Sequence, residues 1–137
     1  MWKKIYVDIE FVQTDTPIHY QKLASGDFEL GTGVWVGDFN DASNFLDVLR
    51  AGAENNYGRY SNKAYNAALD LAAKERDLSK RGAMLARAEQ IMLDDYPLVF
   101  ARFGVTTALV QPYVKGWTAN TKEINRTRWL SLARLPQ

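Results

Sequence analysis

Two helical patterns over residues 61–96 limit the folds open to this 137-residue chain more than any other pattern in it. In the first, apolar residues recur at the i, i+3, i+4 and i+7 spacing of one helical face: Tyr65, Ala68, Leu69 and Ala72. In the second, the apolar stripe consists of Met84, Leu85, Ala88, Ile91 and Met92. Ser61 is the predicted cap of the first helix, and Asp77 or Ser79 that of the second. Two successive amphipathic helices are therefore predicted, the second ending before Pro97.

Shorter elements are predicted on both sides of these helices. Thr16 and Pro17 mark the start of a helix that Gly26 ends, and Ser43 or Asn44 starts another that ends near Gly52. Strands or extended segments are predicted over 6–12, 28–36, 98–103, 105–110 and 128–133. The order of elements predicts one α/β domain over residues 1–137.

The composition argues against several function classes. Lys and Arg number 17 against 16 Asp and Glu and are scattered among them, so the chain lacks the basic stripe that nucleic acid or an anionic membrane requires. The absence of cysteine excludes disulfides and thiolate chemistry but fits a reducing or an oxidising compartment. The single histidine, His19, argues against a zinc site or a serine hydrolase, and no motif predicts a cofactor.

Residues 33–46 have the features of a ligand-recognition strand. Glycines permit close approach of another backbone, Trp35 and Phe39 supply flat aromatic walls, and Asp38 stands at the end of the strand. An extended peptide could add to the strand edge through main-chain hydrogen bonds, with its α-ammonium group paired to Asp38. The glycines do not form a dinucleotide fingerprint, because Val36 stands where the third glycine is needed.

Two pairs of carboxylates raise the alternative of a glycoside hydrolase: Asp38 with Asp41, and Asp94 with Asp95. Adjacent aspartates at a helix end are more often solvated or capping, and Asp41 is placed to cap the helix that follows it. A hydrolase that uses Asp38 and Asp41 is therefore a minor alternative. A stand-alone protein-interaction module, binding through the exposed edge of the strand over 28–36, is the other.

Motifs along nearly the whole chain resemble the carboxy-terminal lobe of the bacterial oligopeptide- and dipeptide-binding proteins that serve ABC transporters. The most recognisable is Trp35-Val36-Gly37-Asp38-Phe39-Asn40-Asp41, followed by Phe45-Leu46. Residues 2–4, 7–10, 25–29, 60–65, 88–94 and 110–117 match the family pattern in order. Two positions depart from it: Ala42 stands where proline is common, and Thr32 where some members have an arginine.

The resemblance implies a periplasmic-binding-protein-like (type II) α/β lobe, incomplete, with a mixed sheet flanked by helices. It also implies a binding function and no enzymatic activity. In the family, the residue matching Asp38 receives the amino terminus of the peptide, and the backbone matching Val34 to Val36 pairs with the peptide. The aromatic residue matching Trp35 lines a side-chain pocket. Gly33 and Phe39 complete the predicted site by their own chemistry.

The resemblance further implies partners and a location. A peptide or peptide-like small molecule, the missing amino-terminal lobe and an ABC transporter permease are the expected partners, in the periplasm. No stretch of the sequence is long and apolar enough to span a bilayer, and residues 1–5 lack the apolar region of a signal peptide. Because the resemblance leaves the amino-terminal lobe missing and matches Met1 to the end of a family helix, we expect a truncated gene product, a recombinant piece or a proteolytic piece, with apolar surface that favours self-association.

Overall fold

The helices of the chain are concentrated in its middle third. A computed structural model describes residues 2–105, 107–120 and 124–133. The α-helices are α1 (Thr16–Ser25), α2 (Ser43–Leu46), α3 (Lys63–Lys74) and α4 (Leu78–Asp95), with 3-10 turns at Trp2–Ile5, Asp47–Leu49 and Thr127–Trp129. Strands β1 (Val114–Lys115) and β2 (Ser131–Leu132) pair antiparallel. No helix in the described part of the chain is long and apolar enough to cross a membrane.

The hydrophobic core lies between α3 and α4 and is completed by the α2 segment, which is α2 together with the 3-10 turn Asp47–Leu49. Buried apolar residues come from all of these elements: Tyr65, Leu69, Ala72, Leu85, Ala88 and Met92 from the two long helices, and Leu46 and Leu49 from the α2 segment. Burying a large apolar side chain stabilises a fold by about 1.5–3 kcal/mol. Every apolar position predicted for the two long helices is buried or packs against this core, so both helical patterns are confirmed.

The starts of the two long helices are fixed by side-chain caps. The Asn62 side chain accepts hydrogen bonds from the backbone amides of Ala64 and Tyr65, so it caps α3 in place of Ser61. The predicted cap was therefore wrong by one residue, because the longer amide side chain of Asn62 reaches both orphan amides. Asp77, one of the two predicted caps of α4, accepts from the Lys80 amide at 2.9 Å.

The α2 segment is tied to α3 by polar contacts. The Tyr65 hydroxyl, inside the core, donates a hydrogen bond to the Leu46 carbonyl. Arg50, in the loop after α2, donates to Asp70 of α3, and the Ala51 amide donates to Asn66 at 3.2 Å. The α2 segment is therefore held on the helical core in one position, and so are the residues that immediately precede it.

The predicted helix at 16–26 forms and ends as expected. It begins at Thr16, after Asp15 in the capping position, and Pro17 lies in its first turn. Gly26 adopts a φ of 79°, and its amide donates to the Leu23 carbonyl at 3.2 Å. Leu23 is the buried residue of this helix, at 4% exposure. A left-handed glycine is the usual way for a helix to end.

The predicted strands over 6–12, 28–36 and 98–103 are wrong for this structure, because none of these segments is assigned as a strand. Within 105–110, residue 106 lies outside the described part of the chain, and the other residues are not strand either. The extended segment predicted over 128–133 is confirmed only at β2. A strand exists only with a hydrogen-bonded neighbour. Among the described residues the sheet consists of β1 and β2 alone, so the predicted mixed sheet is not formed by them.

Candidate functional site

A pocket of about 260 Å³ lies where the segment over 33–40 meets α2 and the loop that follows. Its lining residues come from both sides of this junction: Trp35, Asp38, Phe39, Asn44, Asp47, Val48, Ala53 and Asn55. Three of the six predicted site residues therefore share one concave surface. The other three, Gly33, Val34 and Val36, lie on the adjoining segment and do not line the pocket.

The two aromatic residues of the pocket are partly open to solvent. Trp35 is 39% exposed and Phe39 is 51% exposed, so both side chains have apolar surface that a ligand in the pocket could contact. The indole Nε1–H of Trp35 donates to Oδ1 of Asn44 at 2.8 Å. Asn44 is buried, so this bond satisfies a polar group that would otherwise be costly to bury. The bond also fixes the orientation of the indole ring.

Asp38 differs from the other aspartates near the pocket because its carboxylate has no charged partner among the described residues. Asp47 also lines the pocket, but its Oδ1 accepts from Arg50 at 3.2 Å. Asp41 is paired with Arg81. Asp38 is thus the acidic group of the pocket that remains available to a cation brought by a ligand.

Asp41 is engaged by neighbouring side chains and does not line the pocket. Arg81 donates to both of its carboxylate oxygens, with Nη2 at 2.9 Å from Oδ1, and the Ser43 amide donates at 2.9 Å to the same oxygen. Hydrogen bonds from Arg81 first, and then from Ser43, hold the pKa of the Asp41 carboxyl well below its usual range. A carboxylate held ionised by a guanidinium is unsuited to general acid catalysis, so the geometry does not support the glycosidase alternative.

The segment over 33–36 is open on the surface. Val34 and Val36 are 73% and 66% exposed, and a methyl group added at Gly33 would meet no atom within 4 Å. Residues 33–36 make no backbone hydrogen bond to another described residue. The start of the segment is held by His19, whose Nε2 lies 2.7 Å from the Thr32 carbonyl oxygen. His19 is thus locally bonded, and the backbone after it is accessible for pairing.

Sequence reasoning missed Asn44 and Arg81. Asn44 lies three residues after Asp41, within the helix that Asp41 was expected to cap, so its closeness to the site was readable but its bond to Trp35 was not. Arg81 lies 40 residues from Asp41 along the chain, and only the packing of α4 beside α2 brings the two together. No local pattern in the sequence signals such a pair.

Several curated proteins are similar in sequence, although no protein-family model matches the chain. The oligopeptide-binding protein OppA of Bacillus subtilis strain 168 is 34% identical over 119 residues, which are 85% of this chain and 22% of that protein. The periplasmic murein peptide-binding protein MppA of Escherichia coli K12 is 30% identical over 124 residues, covering 90% and 23%. The probable deoxycholate-binding periplasmic protein YgiS of the same strain is 37% identical over 117 residues, covering 85% and 22%.

Solved structures show the same fold. The Escherichia coli murein tripeptide binding protein MppA superposes with a TM-score of 0.84 at 24% identity, over 98% of this chain and 27% of that chain. OppA of Burkholderia pseudomallei gives a TM-score of 0.84 at 23% identity, over 97% and 26%. The predicted fold class, part of a periplasmic-binding-protein-like (type II) lobe, is confirmed by these likenesses.

The similar proteins are named for binding and not for catalysis, which agrees at the level of the family with the expected lack of enzymatic activity. The chain spans only 22% to 23% of the length of the three relatives described above. Within that span the similarity covers most of the chain in both sequence and fold. The chain is therefore homologous to one segment of the solute-binding proteins OppA and MppA, about 22% to 23% of their length.

Proposed function

We propose that the chain supplies part of the ligand-binding surface of the substrate-binding component of an ABC transporter for peptides or peptide-like small molecules. The observation that carries this proposal is the Asp38 carboxylate, which has no charged partner in the described part of the chain and lies in a pocket with Trp35 and Phe39, at the end of an open backbone segment. The names of relatives that bind oligopeptides and murein peptides support the same class of ligand.

Asp38 is the proposed acceptor of the ligand's amino terminus. An exposed ion pair contributes little in water, so Asp38 alone gives weak affinity. A second surface that closes over the pocket would remove water and strengthen the pairing of the carboxylate with an α-ammonium group, while excluding ligands that bring no cation. The preference for a free amino terminus then follows because no cation among the described residues pairs with Asp38, so the ligand's α-ammonium group can supply the counter-charge.

The backbone over 34–36 is the proposed edge for the ligand's own backbone. A peptide that pairs there bonds through amide and carbonyl groups, which every peptide offers, so this contact is indifferent to sequence. Gly33 leaves open space beside the edge, and Trp35 and Phe39 provide apolar walls for a side chain. Backbone pairing would allow many peptide sequences to bind, while Asp38 would fix the position of the peptide's amino terminus.

The proposed partners are the remainder of a two-lobed binding protein and the permease of a transporter. The proposed location of the binding protein is outside the cytoplasm. Large apolar side chains are almost fully open along the extended segments, for example Phe11 at 90%, Phe103 at 100% and Leu109 at 99%. Apolar surface of this kind normally meets another protein surface. When no such surface is present, we expect the 137-residue chain to self-associate. The apparent molar mass from light scattering would then rise with protein concentration.

The decisive experiment substitutes Asp38 by Asn in the complete two-lobed binding protein of which this chain is proposed to be a part. Calorimetry with trialanine and with N-acetyl-trialanine compares a ligand with and without the α-ammonium group. We expect Asp38→Asn to weaken trialanine binding by about tenfold or more and to leave the acetylated peptide nearly unaffected. Equal affinity of the native and substituted proteins for trialanine would contradict the proposed role of Asp38.

The 137-residue chain by itself is expected to bind trialanine with little or no measurable affinity, because its carboxylate stays hydrated. Nanomolar binding of trialanine by that chain would show that its surface is sufficient without a second lobe.

A further inference from the structure

Arg81, in the first turn of α4, contacts the loop that leaves the pocket. Its guanidinium donates to both oxygens of Asp41, and its Nη2 also lies 3.4 Å from the Ser43 hydroxyl. A two-point contact between a planar guanidinium and a carboxylate fixes direction as well as distance. Both side chains are less than a third exposed, so solvent screens the pair only partly.

Asp41 also uses the same carboxylate to bond within its own loop. Its Oδ1 accepts from the Ser43 amide, an Asx turn that opens α2, while its own amide donates to the Phe39 carbonyl at 3.0 Å. The loop between Phe39 and Ser43 is therefore bonded at both ends through one residue. Asp38 immediately precedes this loop, so its placement depends on the loop's conformation.

The start of α2 is connected to the aromatic wall of the pocket by a hydrogen bond. Asn44, the residue after Ser43, holds the Trp35 indole through its Oδ1 and is 6% exposed. A shift at the start of α2 therefore moves the acceptor on which the indole is oriented. Arg81 itself does not line the pocket.

We propose that Arg81 is a positioning residue, which acts through Asp41 on Asp38 and on Trp35 and so sets the preference of the site for a free amino terminus. This inference rests on the proposed function. It adds a determinant on α4, outside the pocket, that a ligand does not touch. Loss of the guanidinium removes the contact from α4 to the loop and leaves α2 anchored at its other end, by the Tyr65 hydroxyl on the Leu46 carbonyl and by the buried Leu46 side chain.

The first test needs no ligand and uses the Trp35 indole as the reporter. Arg81→Gln is compared with Arg87→Gln, a matched control because Arg87 lies exposed on the same helix. Solvent exchange of the Trp35 Nε1–H is measured by nitrogen-15 NMR, with the signal assigned by its absence in Trp35→Phe. We expect exchange about tenfold faster in Arg81→Gln, unchanged exchange in Arg87→Gln and partial recovery in Arg81→Lys. Equal exchange in the Arg81→Gln and native chains overturns the proposal.

The second test uses the complete protein and the ratio of dissociation constants for N-acetyl-trialanine and trialanine. We expect this ratio to fall about tenfold in Arg81→Gln and to stay native in Arg87→Gln. Equal weakening of both peptides by Arg81→Gln indicates a merely structural role and overturns the proposal. Should Arg81→Gln fail to fold, Arg81→Lys provides the same comparison with the charge retained.

In the same assay, Asp38→Asn distinguishes a failure of the proposed binding role of Asp38 from a failure of the proposed positioning role of Arg81. If Asp38→Asn leaves the ratio unchanged, the proposed function itself fails. If Asp38→Asn removes the preference and Arg81→Gln does not, the proposed function stands and only the positioning role is lost.

Discussion

The α3–α4 core and the segments outside helices and strands, over 27–40, 97–105 and 107–113, are built on opposite principles. The two helices satisfy their backbone groups internally and bury an apolar face against each other, so Tyr65 is fully buried and Leu69 is 2% exposed. The segments outside helices and strands also carry apolar residues, but the side chains of Phe103 and Leu109 are almost fully exposed to solvent. A helix needs only itself and one neighbouring face, whereas an extended segment needs a backbone partner. The difference separates the part of the chain that is self-sufficient from the part that requires another surface.

The strongest way to break this comparison is to truncate one leucine in each region. Leu69→Ala removes a buried side chain from the core and is expected to lower the free energy of unfolding by about 3 kcal/mol. Leu109→Ala removes the same atoms from a residue 99% exposed and is expected to change it by less than about 0.5 kcal/mol. Urea unfolding followed by circular dichroism measures both. Similar losses in the two variants would mean that the extended segment packs in solution.

A smaller effect is expected at the junction between the core and the segment that carries the site. Tyr65→Phe removes the hydroxyl that donates to the Leu46 carbonyl and leaves that acceptor without its partner. We expect a loss of about 1–2 kcal/mol in the free energy of unfolding, with the ring still packed. Tyr57→Phe is the matched control, because the Tyr57 hydroxyl bonds only within its own loop, to Asn55 at 3.1 Å. Equal effects would show that the Tyr65 bond does not hold α2.

The pH dependence of stability tests the ion pair that joins α4 to the loop. The pKa of Asp41 is lowered in the folded chain by Arg81 and Ser43, so its contribution is complete above the unfolded pKa of about 4 and is lost as pH falls below that value. The difference in unfolding midpoint between the native chain and Asp41→Asn should therefore be largest near neutral pH and should narrow in acid. A difference in midpoint that stays the same from neutral pH to acid would contradict the pairing of Asp41 with Arg81.

These contrasts also explain how far the sequence alone could predict the fold. The residues of α3 and α4 were predictable because helical periodicity is a local property and each apolar position faces the neighbouring helix. The segments over 6–12 and 28–36 carry strand-like patterns, but whether a strand forms depends on a partner that no local pattern specifies. The sequence pattern there favours strand pairing, but among the described residues no strand pairs with these segments.

The candidate site divides in the same way. Trp35, Asp38 and Phe39 were predicted together because they lie within five residues of one another on one segment, and the pocket contains all three. The contact of Arg81 with Asp41 spans 40 residues and depends on how α4 packs beside α2, so it could only come from coordinates. The pocket residues that are close in sequence could be predicted from the sequence. The contact that holds their loop in place depends on the packing of α4 beside α2.

The smallest effect is expected from a pair of glycines that tests how firmly the segment before the pocket is held. At Gly31 an added methyl group would meet the side chain of Leu23, buried on α1, and the Phe28 ring at 3.1 Å. At Gly33 it would meet nothing within 4 Å, and neither glycine has a positive φ. Gly31→Ala is therefore expected to lower the free energy of unfolding by about 1 kcal/mol through overpacking, and Gly33→Ala to change it by less than about 0.5 kcal/mol.

Urea unfolding of these two glycine variants decides whether the extended segment is docked or merely extended. A loss confined to Gly31→Ala means that the segment rests on α1 up to residue 31 and becomes open only from Gly33 onward, where the proposed peptide-binding edge begins. Equal effects would place the whole segment away from α1 in solution. In that case His19 and its bond to the Thr32 carbonyl could not hold the edge in place, and the backbone over 33–36 would have to be ordered by the ligand or by another surface.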